Sequence, residues 1–499
     1  MNRLITIRDF KKACALACLF LFSLSAQSND LVWKFDPELQ KAYQLVTTLQ
    51  PDKANELLNK ITSNELHKLY VQTLNETLHI LITEDHGSFP AIDQKFKDRI
   101  KYLESLPQTA ETLFLQAELA LQRGFCFLNL GQELNAVFSI RKAYQLTSDC
   151  LKKYPAFIPI KKTSGVIQVM IGSVPEKYNW FITLLGMKGS VTAGQKQLAE
   201  LRASTSSLNL EAAILFFAIQ GFINQEFALA AQGINQHLKD QPNNKLLIFI
   251  GVNMLIKDAR SEEALALIHQ LKNVPQGLPM HYIDYLHGEI LLQKGEYQKA
   301  VEIFSEFIKA YPSQSFKKDS YFKISLCYWL LGNTPSAKAN FEKAKTTGSD
   351  KAEPDRYAAK QLENADFPNK KLLKARFSTD GGYYKEAAAM LSSVVPSDLA
   401  SEKDKTEFYY RKARLAHRMG EIGAAKIFYQ QSIDMTRDNP WYFGANAALH
   451  LGYIAKDQKD LVTAKKYFTM ALSFPKHEYK NSIDSKARSE LQLLSESKV

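Results

Sequence analysis

Cysteine is scarce in this chain, and glycine and proline are less frequent than usual. Five cysteines occur in 499 residues, whereas a secreted scaffold held together by disulfides carries many more, in even number. Glycine (22) and proline (17) together make up about 8% of the chain, below the usual share of about 12%. This scarcity argues against a turn-rich β-sandwich or barrel and favours long helices. Hydrophobic residues, at 45%, are too frequent for a wholly disordered chain.

The sequence also lacks the motifs that mark common catalytic and cofactor sites. It has no H-E-x-x-H zinc motif, no G-x-S-x-G nucleophile turn, no phosphate-binding loop and no dinucleotide glycine fingerprint. His281 and His287 come nearest to a metal-binding pair, but their spacing does not put them on one face of a helix. We therefore expect no enzyme activity, no cofactor and no metal site.

The first residues have the composition of a secretory signal peptide. Four cations and one anion precede an apolar run that ends at Leu24, and small residues follow. The run is shorter than the ~20 residues that cross a bilayer. We predict cleavage after Ala26 or Ser28, and a retained N-terminal anchor is the alternative. Removing residues 1–26 removes a net charge of +3, so the total falls from +11 to about +8. This mild excess does not indicate nucleic-acid binding.

Three cysteines remain beyond that segment. Cys126 and Cys327 lie among apolar residues, which indicates buried thiols. A disulfide between Cys126 and Cys150 is the alternative.

A pattern of small and aromatic residues recurs along the chain. In each copy a helix with a small residue midway ends in a polar turn, and a second helix follows with an alanine and often an aromatic residue four positions later. In one copy Gly288 precedes Ala300 and Phe304. The alanine and the aromatic residue lie one turn apart, on the same face of their helix. The signature alanines are Ala136, Ala230, Ala264, Ala300, Ala337, Ala387, Ala425 and Ala464.

This pattern resembles the tetratricopeptide repeat (TPR), a helix–turn–helix unit of about 34 residues. The resemblance covers most of residues 117–478. It implies an all-α fold, a TPR-type α-solenoid in which antiparallel helix pairs stack into a right-handed superhelix. We divide the chain into a signal peptide (1–26), an N-terminal helical cap region (27–116), a TPR-like solenoid (117–351), C-terminal TPR-like repeats (352–478), and a C-terminal capping helix with its tail (479–499).

One segment, residues 164–200, is an irregular unit within the solenoid. Its part 164–198 is apolar and rich in glycine, and it resembles a hallmark segment of the TPR family that includes fungal inclusion-body clearance proteins. That resemblance implies a common helical architecture and not a shared activity. The unit is either purely structural or a docking surface for a lipid or a partner helix, with Trp180 and Phe181 exposed.

By the TPR resemblance, the first helix of each repeat lines a concave groove, and three groups of residues fall at groove positions. They are Ala212, Leu215, Ile219, Phe222 and Ile223; Asp319, Phe322, Leu326, Trp329 and Leu330; and Glu407, Tyr410, Arg414, His417 and Arg418. Apolar members such as Phe322 and Trp329 are either anchors for a partner or part of the core.

A basic patch overlaps the third group. Arg411, Arg414 and Arg418 lie at i, i+3 and i+7, on one face of a helix. Like charges this close are mildly destabilising unless they meet an anion, and guanidinium groups suit carboxylates. We therefore predict that a carboxylate-bearing peptide or an acidic partner helix binds here. The predicted contacts are Tyr410, Arg411, Arg414, His417, Arg418, Phe322 and Trp329. The alternative is that Arg411 and Arg418 pair with Glu407 and Glu421.

These features predict an exported TPR scaffold that mediates protein–protein interaction in a cell envelope, by groove recognition of a peptide or a partner helix. A signal peptide with few cysteines suits a bacterial periplasm, and secretion is the alternative. Peripheral membrane contact is a further expectation, whereas a nucleic-acid partner is not expected. The other functions considered are an envelope protein that binds a glycan or a lipid and, last, a hydrolase.

Overall fold

The computed structural model describes residues 33–174, 179–274, 276–363, 366–436 and 438–496. The predicted signal peptide (1–26) lies outside the described residues. Within them the chain forms α-helices and one short 3-10 turn, with no strand, so the prediction of an all-α fold is confirmed. None of the described helices combines the length and the apolar character that a membrane span requires.

The helices follow one another with short connections. The first thirteen are α1 (Pro37–Thr47), α2 (Pro51–Lys60), α3 (Glu65–Thr83), α4 (Phe89–Ser105), α5 (Ala110–Asn129), α6 (Glu133–Lys153), α7 (Ile160–Gly172), α8 (Asn179–Leu184), α9 (Val191–Arg202), α10 (Asn209–Phe222), α11 (Phe227–Asp240), α12 (Lys245–Lys257) and α13 (Ser261–Lys272). The next twelve are α14 (His281–Lys294), α15 (Tyr297–Ala310), α16 (Lys317–Leu331), α17 (Thr334–Thr346), α18 (Glu353–Gln361), α19 (Lys370–Gly381), α20 (Tyr384–Ser392), α21 (Glu402–Arg418), α22 (Ile422–Thr436), α23 (Tyr442–Asp457), α24 (Leu461–Ser473) and α25 (Lys480–Glu496).

The chain divides into two compact units. Unit 1 comprises the described residues up to Met254 together with Ala266–Met280, and unit 2 comprises Leu255–Leu265 together with the described residues from His281 onward. In unit 1 the core near the start of the described chain is aromatic: the ring of Trp33 packs edge-on against Phe114, with centroids 4.6 Å apart.

Helices that follow one another closely in the sequence pack against each other as pairs in both units. The pairs include α5 with α6, α7 with α9, α14 with α15, α16 with α17, α21 with α22 and α23 with α24. All eight signature alanines lie in the second helix of a pair, and the side chain of each is fully buried. Because an alanine at the crossing point lets two helices approach closely, the predicted TPR-type α-solenoid of stacked pairs is confirmed.

The turn inside each pair has the same backbone conformation. One residue takes a left-handed φ between 60° and 89°, and it stands five positions before the signature alanine in all eight repeats. Five of these residues are glycines and three are not. They are Gly131, Gln225, Ala259, Gly295, Gly332, Gly382, Gly420 and Lys459. The shared conformation shows that all eight units are built alike, although their sequences differ.

Glycines in the first helices allow the aromatic residues of the second helices to pack closely. A Cβ atom on Gly288 would lie 2.7 Å from the ring of Phe304, and one on Gly452 would lie 2.5 Å from the ring of Phe468. Both distances are shorter than any real contact of a Cβ atom allows. The small residue midway along the first helix is therefore required by the ring that it meets in its own pair.

The structure also decides between the two predictions for the cysteines. Cys126, Cys150 and Cys327 are all buried and all carry free thiols. The prediction of buried thiols at Cys126 and Cys327 is confirmed, and the alternative of a disulfide between Cys126 and Cys150 is wrong.

Two buried lysines join helices through ionic contacts. In unit 1, Lys162 Nζ lies 2.7 Å from a carboxylate oxygen of Glu118 and 2.7 Å from one of Glu211. In unit 2, Lys323 pairs with Asp319 at 2.7 Å and also with Glu289. Each buried ammonium group is thus met by two carboxylates, which is how folded proteins accommodate such charges. We interpret both clusters as parts of the core.

Candidate anion-binding groove

Helix α21 carries most of the predicted site residues. Ser401 caps its first turn by accepting a hydrogen bond from the backbone N–H of Asp404 at 3.0 Å, which fixes where the helix begins. The helix packs against α22 of its own pair and also contacts α19 and α23. Polar side chains of α21 are therefore placed against the first helices of the neighbouring pairs.

Arg411 is paired within its own helix. Its guanidinium group lies 2.6 Å from a carboxylate oxygen of Glu407 and donates a hydrogen bond to the hydroxyl of Tyr442 at 3.1 Å. The side chain is only 8% exposed. Arg411 is therefore paired with Glu407, which is the alternative that the sequence left open for this residue. Arg418 is exposed, and no ion pair with Glu421 occurs among the described residues.

Tyr410 is buried and serves as support for the groove. Its hydroxyl accepts a hydrogen bond from the side-chain amide of Asn446 at 2.5 Å, and its ring packs against that of Phe443 with centroids 5.5 Å apart. Because the ring lies in the core between α21 and α23, Tyr410 positions its neighbours and offers little surface to a partner.

Arg414 and two histidines come together between α21 and α23. Arg414 Nη1 lies 2.8 Å from Nε2 of His450, so the guanidinium donates to an unprotonated imidazole nitrogen. The ring of His417 lies edge-on to that of His450, with centroids 5.8 Å apart, and its Nδ1 lies 3.3 Å from the hydroxyl of Tyr429. The structure thus brings Arg414 and His417 together, as the basic patch predicted.

A further arginine reaches this region from α19. Arg376 donates a hydrogen bond to the hydroxyl of Tyr357 at 2.9 Å. Its Nε lies 3.7 Å from one carboxylate oxygen of Asp380, and Nη2 of Arg414 lies 3.7 Å from the other. Two guanidinium groups therefore share a single carboxylate at long range.

The last helix adds another cation. Burial and the positive charge of Arg414 lower the pKa of Lys486 on α25. The Lys486 side chain is nevertheless exposed to solvent. Burial, the charge of Arg414 and those of its neighbours likewise hold the pKa of His450 well below its usual range.

We call Arg376, Arg411, Arg414, His450 and Lys486 the basic cluster. Its members come from four helices, α19, α21, α23 and α25. Four of them are arginine or lysine side chains, and among the described residues Asp380 and Glu407 are the carboxylates that lie within ion-pairing distance of them. With these four charged and His450 neutral, the cluster and its two carboxylates carry a net charge of +2. A net positive charge attracts an anionic ligand.

Tyrosine rings line the same region. The ring of Tyr442 lies edge-on to that of Tyr479 at 5.0 Å, and Tyr479 stacks on Tyr357 at 5.7 Å. These rings are large and rigid and carry polar hydroxyls, so they suit a ligand that has both apolar and polar parts.

The two predicted apolar contacts lie on α16. Phe322 is buried, and its ring centroid lies 6.4 Å from those of Phe341 and Tyr357. Phe322 is therefore part of the core, which is one of the two roles that the sequence left open for it.

Trp329, on the same helix, is partly covered by the segment that leads into α19. Its ring stacks on Phe367 at 5.0 Å, its Nε1 donates to the carbonyl of Pro368 at 2.9 Å, and Lys370 Nζ lies 4.3 Å above the ring. Neither Phe322 nor Trp329 extends the basic cluster.

Some members of the cluster could have been found from the sequence. Arg414 stands eleven positions before the signature alanine of its repeat, and Arg376 stands at the same place before Ala387. The groove register therefore points to Arg376 when it is applied to every repeat. His450 is off that register, and Lys486 lies on a helix outside the repeats, so neither carried a sequence signal.

Comparisons with known proteins agree with this architecture. A family model described as tetratricopeptide repeat matches residues 318–346 and 406–439, and a second model with the same description matches residues 283–313. The matched stretches contain the signature alanines Ala300, Ala337 and Ala425. The chain therefore carries tetratricopeptide repeats, as predicted, in divergent form. No curated protein matches the chain.

Solved structures of similar fold include a human IFIT1 dimer with PPP-AAAA. It is 14% identical, the match covers 88% of this chain and 95% of that chain, and the TM-score is 0.33. Another is the APC/C hetero-tetramer Cut9–Hcn1, at 15% identity, with 89% of this chain and 84% of that chain covered and a TM-score of 0.26. Likenesses at these scores carry no argument about function.

Proposed function

We propose that this protein is an exported scaffold of a cell envelope whose basic cluster binds an acidic peptide or an acidic partner helix. Tetratricopeptide repeats indicate a scaffold for protein–protein interaction and typically have no catalytic role. The observation that carries the finer proposal is the net charge of +2 in the basic cluster, where Arg376 and Arg414 share Asp380 at 3.7 Å.

The geometry suits a carboxylate better than another anion of the same charge. Arg414 offers a planar fork of N–H donors, which matches the two oxygens of a carboxylate. Only one of its contacts with a protein carboxylate is present, at 3.7 Å, so a ligand carboxylate can approach more closely than Asp380 does. Lys486 on α25, whose pKa is lowered by burial and by the charge of Arg414, supplies a second positive charge for a second acidic side chain.

The proposal is tested by the affinity of a fluorescent glutamate-rich peptide for the purified chain. Replacing Arg414 and Lys486 with glutamine should weaken binding at least tenfold, because each charge-assisted contact contributes about 1.5–3 kcal/mol. The matched control is Lys465→Gln in α24, which removes a charge from an exposed position away from the cluster.

Thermal melts of each variant separate a loss of binding from a loss of folding. A chain that does not bind the peptide at all, or a control that loses as much affinity as the double variant, would contradict the proposal. Loss of binding only in the Arg414→Gln and Lys486→Gln variant, with an unchanged melting temperature, would place the acidic ligand at the basic cluster.

A further inference from the structure

Of the large apolar side chains that the structure describes in unit 1, the four most exposed lie on two helices. Leu134 and Phe138 on α6 are 74% and 66% exposed, and Trp180 and Leu184 on α8 are 67% and 73% exposed. Each pair is spaced i, i+4, so its two side chains lie on one face of their helix. We call these four residues the apolar edge. Exposed apolar residues scattered singly are ordinary, but a group of large ones marks an interaction surface.

Helix α6 is hydrogen-bonded to the residues that follow α8. Arg141 Nε donates to the carbonyl of Leu185 at 3.2 Å, and the backbone N–H of Lys188 donates to the hydroxyl of Tyr144 at 3.2 Å. Phe138 lies about one helical turn from Arg141, and Leu184 is next to Leu185. These contacts bring the end of α8 to the part of α6 that carries Phe138.

The short helix α8 presents its apolar residues outward because its other face is anchored. Ile182 and Leu185 pack against the core of unit 1, and Met187, just after the helix, is buried. With those positions directed inward, Trp180 and Leu184 point away from the core. The predicted exposure of Trp180 is confirmed, whereas the side chain of Phe181 lies outside the described residues. The outward position of Trp180 and Leu184 is thus built into the fold.

Basic residues lie at one end of the apolar edge. Arg141 and Lys188 are exposed, and no ion pair of either residue occurs among the described residues. Lys142, also exposed, approaches Glu104 at 3.8 Å. Leu134 has Glu133 as its neighbour, so the positive charge lies toward the Arg141 and Lys188 end. Large apolar side chains with nearby cations are the combination that binds the interface of an anionic membrane.

We propose that the apolar edge inserts into the surface of a bilayer that contains anionic lipids, with Arg141 and Lys188 against the headgroups. Tryptophan and phenylalanine favour the headgroup level of a bilayer, and leucine adds apolar area below it. We choose the bilayer as the occupant because the exposed cations Arg141 and Lys188 match anionic headgroups. A second copy of the chain is the other occupant, and the experiment distinguishes the two. This inference does not rest on the acidic ligand proposed for the basic cluster.

The experiment is sedimentation of the purified chain with vesicles of phosphatidylcholine alone and with vesicles of phosphatidylcholine and phosphatidylglycerol. We expect binding to the anionic vesicles and a loss of at least about tenfold in the variant Phe138→Gln with Leu184→Gln. The matched control is Ile427→Gln with Val462→Gln, at two exposed apolar positions of unit 2. Since all four side chains are exposed, we expect every variant to melt as the parent chain does.

A local measurement at Trp180 distinguishes membrane binding by the apolar edge from membrane binding by the N-terminal residues, which all variants share. Lipids brominated in their acyl chains quench the fluorescence of a tryptophan that inserts among them, and the difference between the parent chain and Trp180→Phe reports Trp180 alone. Quenching of Trp180 in anionic vesicles supports the proposal.

Absence of that quenching, or equal vesicle binding by the Phe138→Gln, Leu184→Gln variant and the parent, would overturn it. A concentration-dependent dimer in sedimentation velocity that this variant abolishes, without vesicle binding by the parent, would instead assign the apolar edge to a second copy of the chain.

Discussion

The pKa of His450 depends on the charge of the basic cluster. Burial, reinforced by the positive charges of Arg414, His417, Lys486 and Arg418, holds its pKa well below the usual range. The unfolded chain has no such neighbours, so there the pKa returns to about 6.5. The unfolded state therefore binds more protons than the folded state at mildly acidic pH.

The first prediction concerns the pH dependence of stability. Because His450 is neutral when folded, its favourable contribution is complete above pH ~6.5 and is lost as the pH falls from there toward its lowered pKa. The slope that one such group adds is at most about 1.4 kcal/mol per pH unit. In His450→Gln, which can still accept from Arg414, the free energy of unfolding should fall less between pH 7 and pH 5 than in the parent chain.

Chemical denaturation across that pH range measures the difference. The pKa of His417 and that of His477 are also lowered by burial, so part of the acid sensitivity should persist in His450→Gln. Identical pH profiles for the variant and the parent chain would show that folding does not lower the pKa of His450 and that the cluster is less positive than we describe.

At the scale of the helix pair, the left-handed turn residue is the feature that all eight repeats share. Gly420 takes φ 79°, and a Cβ atom built on it would have no neighbour within 4 Å. Lys459 takes φ 62° at the same place in its own repeat, where its side chain is exposed. An L-residue with a side chain is strained in this conformation, whereas glycine is not.

The second prediction is a reciprocal pair of substitutions at this turn. Gly420→Ala should destabilise the chain by about 1–2 kcal/mol, because the new side chain adds backbone strain and no clash. Lys459→Gly should stabilise it by up to about 1 kcal/mol, because it relieves the same strain. Urea denaturation gives both values. The decisive result is a change in the free energy of unfolding of opposite sign in the two variants. A loss of stability in both would show that the contacts of the Lys459 side chain stabilise the chain by more than its backbone strain destabilises it.

The repeat could be predicted from the sequence, and its turn only in part. The spacing of Ala300 and Phe304 is a local pattern, and the packing of one pair already requires it. The glycine at Gly420 signals the left-handed turn in the sequence, whereas Lys459 gives no such signal. The packed helix pair holds the left-handed conformation with either residue. The local sequence thus predicts side-chain packing within a pair better than it predicts the backbone conformation of the turn.

The candidate site shows the same limit more strongly. Arg414 and His417 could be predicted as neighbours, since a single helix carries both. His450 and Lys486 could not, because they meet Arg414 only when separate helices pack together. The burial of Tyr410 also depends on the neighbouring pair, which supplies Asn446 and Phe443. The sequence therefore predicts which residues share the face of one helix, but not which residues from different helices meet when the helices pack.

At the scale of the whole chain, the two proposed surfaces belong to different units. The apolar edge lies within unit 1, and the basic cluster lies within unit 2. Each set of variants therefore serves as a further control for the other experiment: Phe138→Gln with Leu184→Gln should leave peptide affinity unchanged, and Arg414→Gln with Lys486→Gln should leave vesicle binding unchanged. Failure of one proposal leaves the other standing.

The described thiols would tolerate an oxidising compartment. Burial raises the pKa of Cys126 to about 12 and that of Cys150 to about 12, and it raises the pKa of Cys327 as well. Since the thiolate is the reactive form, buried thiols with raised pKa values are inert to oxidation and to disulfide exchange. The chain can therefore keep these three cysteines reduced outside the cytosol, which is compatible with the export that we propose.

The last prediction is removal of the N-terminal segment during export. The mass of the chain isolated from an envelope fraction should be lower than 56.5 kDa by residues 1–26 or 1–28, because the basic start, the apolar run and the small residues after it have the composition that we predict to be cleaved. The control is Leu19→Arg with Leu21→Arg, which puts charge into the apolar run and should leave the chain intact inside the cell. An envelope-located parent chain that retains Met1 would favour the N-terminal anchor instead. Vesicle binding would then have two sources, and the quenching of Trp180 would measure the share of the apolar edge.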